Sequence, residues 1–255
     1  MYFHSLQFIA FLTVVFALYW AVHRHKWPRL GVLMVASVIF YSMWTPLPLL
    51  LFAACTAVNH LCIKGMGRWE SPGVRKGLVA VAVVVTLGVL CTFKYADMFR
   101  ETLVTLLSPL GVKVRTEPYG LLLPVGLSFF TFQSISLVVD VYRRQTRSTY
   151  TYFEHLLYLL FFPHLVAGPI VRASHLIERF DEVPSLSSEE GGRGMYRIAV
   201  GMVKKLVVAD VLGSGLVDPV FAAPEAYTSA ECFMAAVAYT LELYFDFSAY
   251  SDIAI

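Results

Sequence analysis

Long apolar runs alternate with short polar interruptions along nearly the whole chain, and most of the interruptions are basic. Residues 5–22 are apolar and end in Tyr19-Trp20, aromatics suited to headgroup depth. His23-Arg24-His25-Lys26-Trp27-Pro28-Arg29 follows as a basic loop. Residues 30–44 and 48–63 are shorter runs separated by a tight hairpin at Thr45-Pro46-Leu47-Pro48. At about 15 residues each they barely cross the hydrocarbon, so tilt or local thinning is expected. Residues 64–76 set Lys64, Arg68, Arg75 and Lys76 against the single acid Glu70, and 77–95 form the cleanest span, with Lys94 placed to snorkel at its far end. Residues 96–118 are mixed in charge and partly amphipathic (Met98, Phe99, Leu103, Leu106, Leu107), which predicts a segment lying on the far surface. Residues 119–139 return to apolar character and close on the basic run from Asp140 to Arg147.

Basic loops therefore follow the first, third and fifth runs, which places those loops in the cytoplasm and the N-terminus outside. The sixth run, 153–171, contains Phe161-Phe162-Pro163-His164-Leu165-Val166-Ala167-Gly168-Pro169-Ile170-Val171-Arg172. Proline removes a backbone donor and clashes with the carbonyl one turn back, so Pro163 and Pro169 must distort or break a helix here. Irregular backbone in lipid is tolerated only where it is buried in protein or lines a wet cavity. Two readings of this stretch stand: a built site, or a kinked helix with a satisfied histidine. Residues 172–193 are polar and lie outside by strict alternation, or inside if the sixth segment is re-entrant. Within them, Pro184 to Gly192 carries turn and helix-start chemistry. Residues 196–217 are apolar around Lys204-Lys205 and Asp210, and so either lie at the interface or line a cavity; 230–255 is the last apolar run and stops unfinished. The expected fold is an all-α, polytopic transmembrane bundle of about seven to eight membrane segments, at least one of them broken or re-entrant, forming one membrane-embedded domain. The unfinished last run gives the expectation that residues 1–255 are the N-terminal part of a longer protein.

Composition agrees: hydrophobic residues make up 58% and charged ones 15%, with a mean hydropathy of +0.66. A net charge of +2 says little about nucleic acid, because Lys and Arg cluster in short loops rather than on one face, and no nucleic-acid partner is expected. Cys55, Cys62, Cys91 and Cys232 all sit in apolar context without ligand spacing, and so read as small buried hydrophobes, not as a disulfide framework or metal site. Internal repeats, low-complexity tracts, P-loop, GxGxxG and GxSxG are absent.

Polar groups at membrane depth mark where chemistry could sit. Ser128, Thr131, Gln133, Ser134 and Ser136 form a small-polar stripe that reads as helix–helix glue more readily than as substrate contact, with Pro124 and Gly126 giving a bent entry to it. In the last run, Tyr239, Glu242, Asp246 and Tyr250 share a helix face. Two carboxylates at i,i+4 repel, so a cation is needed, and Lys204 or Lys205 is the nearest candidate. That pairing is read either as a strut between helices or as part of a site. His164, bracketed by prolines, is the candidate titratable group. His60 and His155, near span ends, read as interfacial, and His4, His23, His25 and His175 as solvated.

These same stretches carry a family resemblance. Leu123-Pro124-Val125-Gly126-Leu127-Ser128-Phe129-Phe130-Thr131-Phe132-Gln133 with Val139-Asp140-Val141-Tyr142-Arg143 resembles the membrane-bound O-acyltransferase family, most nearly its bacterial alginate O-acetylation branch. Three further motifs follow in family order: 161–172, Gly201-Met202-Val203-Lys204-Lys205 with Ala209-Asp210, and Leu243-Tyr244-Phe245-Asp246-Phe247-Ser248-Ala249-Tyr250-Ser251-Asp252-Ile253-Ala254-Ile255. The chain departs from the branch at Ala249, where glycine is usual, and at Glu242, where glutamine is commoner. The extra methyl of Ala249 is expected to hold a neighbouring helix slightly further off.

The resemblance implies a many-helix bundle around a chamber, with a cytoplasmic acyl thioester such as acetyl-CoA as donor. The acyl group would pass outward through the bacterial inner membrane to a periplasmic acetyltransferase partner that decorates a polysaccharide acceptor. It implies chamber-wall or substrate-path roles for His164, Arg172, Tyr244, Asp246 and Tyr250. The family's catalytic histidine belongs to a Trp-His pair beyond the Tyr-Phe-Asp-Phe-Ser motif, and no residue of 1–255 matches it. D-alanyl transfer to teichoic acid, by the family's other bacterial branch, is the alternative within the enzyme class. A transporter or export subunit without chemistry is the alternative outside it.

Overall fold

The structure, a computed structural model, describes residues 5–43, 46–107, 117–165, 168 and 171–254. Its regular elements are helical throughout. Residues 1–4 with His4, Trp44 at the end of the second run, Thr45 of the expected hairpin, residues 108–116, the Val166-Ala167 and Pro169-Ile170 pairs of the sixth run, and Ile255 lie outside the described residues. The helices are α1 (Leu6–Ala21), α2 (Lys26–Ser42), α3 (Pro48–Arg68), α4 (Pro72–Leu107), α5 (Leu127–Tyr142), α6 (Tyr152–Leu160) and α7 (Phe162–Leu165). A short α8 (Ala173–Leu176) and a 3-10 turn (Glu178–Phe180) precede α9 (Ser188–Val203). The rod continues through a π-helical stretch (Lys204–Ala209), α10 (Asp210–Leu212), a second π stretch (Gly213–Val217) and α11 (Asp218–Ala222), and α12 (Ser229–Ala254) follows.

Two of these helices, α3 and α4, are long and apolar enough to cross a membrane by length and composition, and α1 and α5 are shorter apolar helices. Bulky side chains such as Leu61, Val84 and Leu122 stand exposed, as lipid-facing groups would. Most of the interruptions are shorter than the sequence pattern predicts, because polar flanks join the helices. Lys26 to Arg29 of the basic run after α1 become the first turn of α2, and only residues 69–71 separate α3 from α4. The 36-residue α4 is about 54 Å long, against a hydrocarbon core of about 30 Å. Of residues 96–118, expected as a separate surface segment, 96–107 are instead a continuation of helix α4, because no helix breaker intervenes.

The described residues divide into two compact units, each drawn from separate parts of the sequence. One comprises Met34–Phe161 and Ile170–Glu182. Its core is pinned by Asn59, whose amide nitrogen donates to Thr86 Oγ1 at 2.9 Å and Ser134 Oγ at 2.6 Å, so that one buried side chain joins α3, α4 and α5. Ser134 belongs to the stripe read as glue, and Gln133 of that stripe donates to the Tyr158 carbonyl at 3.2 Å. Arg75 in the first turn of α4 donates to the carbonyls of Met66 (3.0 Å) and Tyr142 (2.7 Å), covering the orphan carbonyls that end α3 and α5. The bent entry to α5 is real: Gly126 takes φ +77° at its N-cap, a left-handed conformation that glycine adopts without steric cost. At the other end of the unit, Arg147 pairs with Asp181, and that hydrogen bond raises the arginine's pKa.

The other unit comprises Met1–Leu33, Phe162–Pro169 and Val183–Ile255. Ser5 caps α1 by accepting from the Phe8 amide, and Phe11 of α1 meets Phe162 edge-on at 5.4 Å. The helix-start chemistry around Pro184 to Gly192 proves to be a capping box, with Ser187 and Glu190 each bonding the other's backbone N–H. These bonds hold the Glu190 carboxyl below the usual glutamate range.

Candidate functional site

The last two motifs bring opposite charges together where α12 packs antiparallel along the rod from α9 to α11. Tyr239 meets Phe221 at 5.4 Å, Glu242 lies over Gly213, Asp246 reaches Lys205, and Gly201 faces Ala249. Tyr239, Glu242 and Asp246 thus do share the face the helical spacing predicts, each meeting an earlier point on the rod. Lys205 Nζ binds Asp246 Oδ1 at 2.7 Å and Asp210 Oδ1 at 2.9 Å. Its neighbour Lys204 binds Asp252 Oδ2 at 2.6 Å and Ser248 Oγ at 2.9 Å. Two lysines and three carboxylates therefore form one ion-paired wall, and the π turn beginning at Lys204 is where both lysines turn toward α12. Such π stretches interrupt the regular i→i+4 ladder and recur at functional sites.

Close approach depends on glycine. A Cβ on Gly201 would stand 2.8 Å from the Ala249 carbonyl oxygen and 2.7 Å from Ile253 Cγ1. Ala249 is buried, and what Gly201 faces is its carbonyl oxygen. A Cβ on Gly213 would stand 2.8 Å from Glu242 Oε1, so the second π stretch lies directly on that carboxylate. The other carboxylate oxygen, Oε2, is enclosed without a hydrogen-bond partner among the described groups.

The remaining sequence candidates fall as follows. His164 is buried in α7, within the same unit as α12 and packed against it. The break in the sixth segment comes at Phe161 (φ −57°, ψ 112°), one residue before the turn that Pro163 helps to start. Proline is tolerated in a first helical turn, which explains why a new short helix begins there. Gly168 donates to the His164 carbonyl at 3.2 Å, and a Cβ on it would meet His164 Cα at 2.4 Å, so only glycine fits that return. Tyr250 is half-buried on α12. Tyr244 is 64% exposed and does not share the ion-paired face. Arg172 is exposed at the start of α8 and belongs to the other unit.

Sequence reasoning missed Ser248 and Asp252 as partners of Lys204, although their i,i+4 spacing on α12 was available. It also placed His155 at an interface, whereas the ring is fully buried, and placed Cys91 inside, whereas it is exposed on α4. None of the four cysteines is bridged, and among the described residues no three His, Cys, Asp or Glu side chains converge on a metal position.

Fold and wall together define a helical membrane protein with paired charges set between long helices. No family model matches the sequence. Known proteins do. The chain is 37% identical over 252 residues to a probable alginate O-acetylase AlgI of Pseudomonas aeruginosa, covering 96% of this chain and 46% of that one. It is 26% identical over 276 residues to a peptidoglycan O-acetyltransferase of Helicobacter pylori, covering 96% and 51%. A teichoic acid D-alanyltransferase of Streptococcus thermophilus is 28% identical over 158 residues, covering 56% and 37%. Over nearly all of its own length the chain is thus similar to O-acetyl-transferring proteins of the kind that its motifs resemble. It spans about half the length of the alginate and peptidoglycan relatives that it matches along most of its own length.

Proposed function

We propose that the protein is a multi-pass inner-membrane O-acyltransferase that takes an acetyl group from a cytoplasmic acyl thioester such as acetyl-CoA. It hands the group outward to a periplasmic acetyltransferase partner, which O-acetylates an exopolysaccharide such as alginate. The observation that carries this reading is the likeness to the alginate O-acetylase along 252 residues, which takes in the rod and α12 where the paired charges stand. Likeness to the D-alanyl branch covers just over half of the chain, which favours acetyl over D-alanyl transfer. In this reading Lys204, Lys205, Asp246 and Asp252 hold one wall of the acyl path rigid, with His164 and Tyr250 as lining residues of the same unit; Arg172 and Tyr244 are substrate-path candidates on the family resemblance alone. The base that takes the acceptor's hydroxyl proton is a histidine outside residues 1–255, and acyl transfer to a hydroxyl needs one.

The test is disruption of the gene in its host, followed by proton NMR of the purified exopolysaccharide. Loss of ester-linked acetate, restored by the intact gene, is the expected result. Unchanged acetate with loss of D-alanine esters from the envelope would move the assignment to the other branch.

A further inference from the structure

Away from the charged wall, the unit built on α3, α4 and α5 encloses a second group of titratable side chains. His155, in the first turn of α6, and Tyr150, just before it, are 0% and 2% exposed. His60 of α3 lies against them half-buried, its ring centre 5.7 Å from that of His155, while the Tyr150 ring lies 6.0 Å from His155 on a T-shaped contact. Four polar atoms of this group are enclosed without a hydrogen-bond partner among the described groups: His60 Nδ1, both ring nitrogens of His155, and the Tyr150 hydroxyl. Buried polar groups are nearly always bonded, so four orphans in one place need an explanation. Tyr152, also in ring contact with His60, is already satisfied through the Ala53 carbonyl at 2.8 Å.

A metal ion does not fit well. Two neutral imidazoles and a phenol supply no carboxylate, and a ligating histidine usually has its other nitrogen anchored to an acceptor, which His155 lacks. Water fits. It donates and accepts, it bridges groups too far apart to bond directly, and a buried water typically makes about three hydrogen bonds to such orphans.

The state of His155 adds a function. A structural histidine is normally fixed in one tautomer by a bond to one nitrogen. With neither nitrogen fixed by protein, His155 can accept a proton from water at one nitrogen while releasing the proton on the other to a second water. The ring's N–H count is then unchanged at the end, and no other reactant is needed. We propose that His60, His155 and Tyr150 form a water-bridged proton-exchange station at the end of this unit flanked by the basic loops. The half-buried His60 is its outer member. The charged groups facing it are Lys64, one turn beyond His60, and Arg147 and Asp140 near Tyr150; Glu154 is occupied in the capping box with Thr151. The proposal stands apart from acyl transfer, and its test does not use activity.

The full-length protein, ring-labelled with nitrogen-15 at histidine and reconstituted in bilayers, is read by water-to-ring polarisation transfer in solid-state NMR. The expected result is rapid transfer from water to both His155 nitrogens with both tautomers populated, the signal being assigned by its loss in His155→Phe. Tyr150→Phe should shift the tautomer ratio toward one form while leaving the melting temperature within a few degrees of wild type. A single His155 tautomer with no transfer from water would overturn the proposal. That wild-type measurement decides the matter even if a variant fails to fold, since the remaining assignment can be made with His155→Gln or by elimination of the other histidines.

Discussion

Lys205 is held by two carboxylates at once, Asp246 of α12 at 2.7 Å and Asp210 of its own rod at 2.9 Å. The lysine side chain is 24% exposed and Asp246 51%. Breaking a fully buried pair strands a charge at a cost of roughly 3–5 kcal/mol. Half-exposure of Asp246 and the second carboxylate on Lys205 reduce that figure.

Asp246→Asn should therefore cost only about 1 kcal/mol, because Lys205 keeps Asp210 and solvent screens the rest. Lys205→Met should cost more, since it leaves Asp210 and Asp246 facing each other without a cation. In thermal melts of the detergent-solubilised protein, the double variant Lys205→Met/Asp246→Asn should be more stable than the two single losses predict. Strict additivity would mean that the pair is not energetically coupled.

Asn59 makes the opposite kind of contact, deeply buried and joining three helices. Asn59→Ala should destabilise by about 1–3 kcal/mol, because the Ser134 hydroxyl loses its only described partner inside the core. Thr86→Val leaves Asn59 its bond to Ser134 at 2.6 Å, so it should cost less than Asn59→Ala. The same melts, ranked across the two variants, check this.

Much of this architecture was legible in the sequence, and the misses share a cause. Spacing on α12 gave the face that meets the rod, because helical periodicity alone fixes which residues line up. Gln133 and Ser134 of the stripe on α5 do join helices, whereas the buried Thr131 hydroxyl has no partner among the described groups, and the hub Asn59 did not stand out, since one asparagine in an apolar run has no periodicity. Likewise Lys204 and Lys205 were identifiable as cations but not divisible between acids: which lysine meets which carboxylate depends on the π turns, and no local residue pattern announces those. His155 looked interfacial because it sits near the start of a run, whereas the tertiary packing of α3 over α6 buries it.

Asp97 of α4 accepts the Tyr119 amide at 2.7 Å and so ties down the chain that leads into α5. Removing the acceptor should loosen that tie. Asp97→Ala should lower the protection factor of the Tyr119 amide in hydrogen exchange, measured against wild type at one pH.

The basic turns give a test of sidedness. In a cysteine-free background, single cysteines at Ser71 and Ser148 should resist a membrane-impermeant thiol reagent in intact cells, and a cysteine at Glu117 should react. Ready labelling at Ser148 from outside would sink the alternation that puts basic loops in the cytoplasm.

The contact of Gly201 with α12 sets the sharpest stability contrast. A Cβ there would meet a backbone carbonyl, Ala249 O at 2.8 Å, and backbone cannot rotate away as a side-chain tip can. Gly201→Ala should thus force the rod and α12 apart and cost about 1–3 kcal/mol, as overpacking generally does. Gly194, on the same helix α9, has nothing within 4 Å of the corresponding position. Gly194→Ala should be neutral or stabilising by up to about 1 kcal/mol, through helix propensity alone. Gly213→Ala falls between them, since its obstacle is the Glu242 carboxylate at 2.8 Å, the end of a flexible side chain that can shift. Combining Gly201→Ala with Ala249→Gly tests the geometry directly. If the methyl on residue 249 is what crowds the interface, the second change recovers part of the loss. If the carbonyl is the obstacle, as the distances indicate, Ala249→Gly gives no recovery and adds its own helix penalty. Melting temperatures of the four proteins, measured in one detergent, separate the two outcomes.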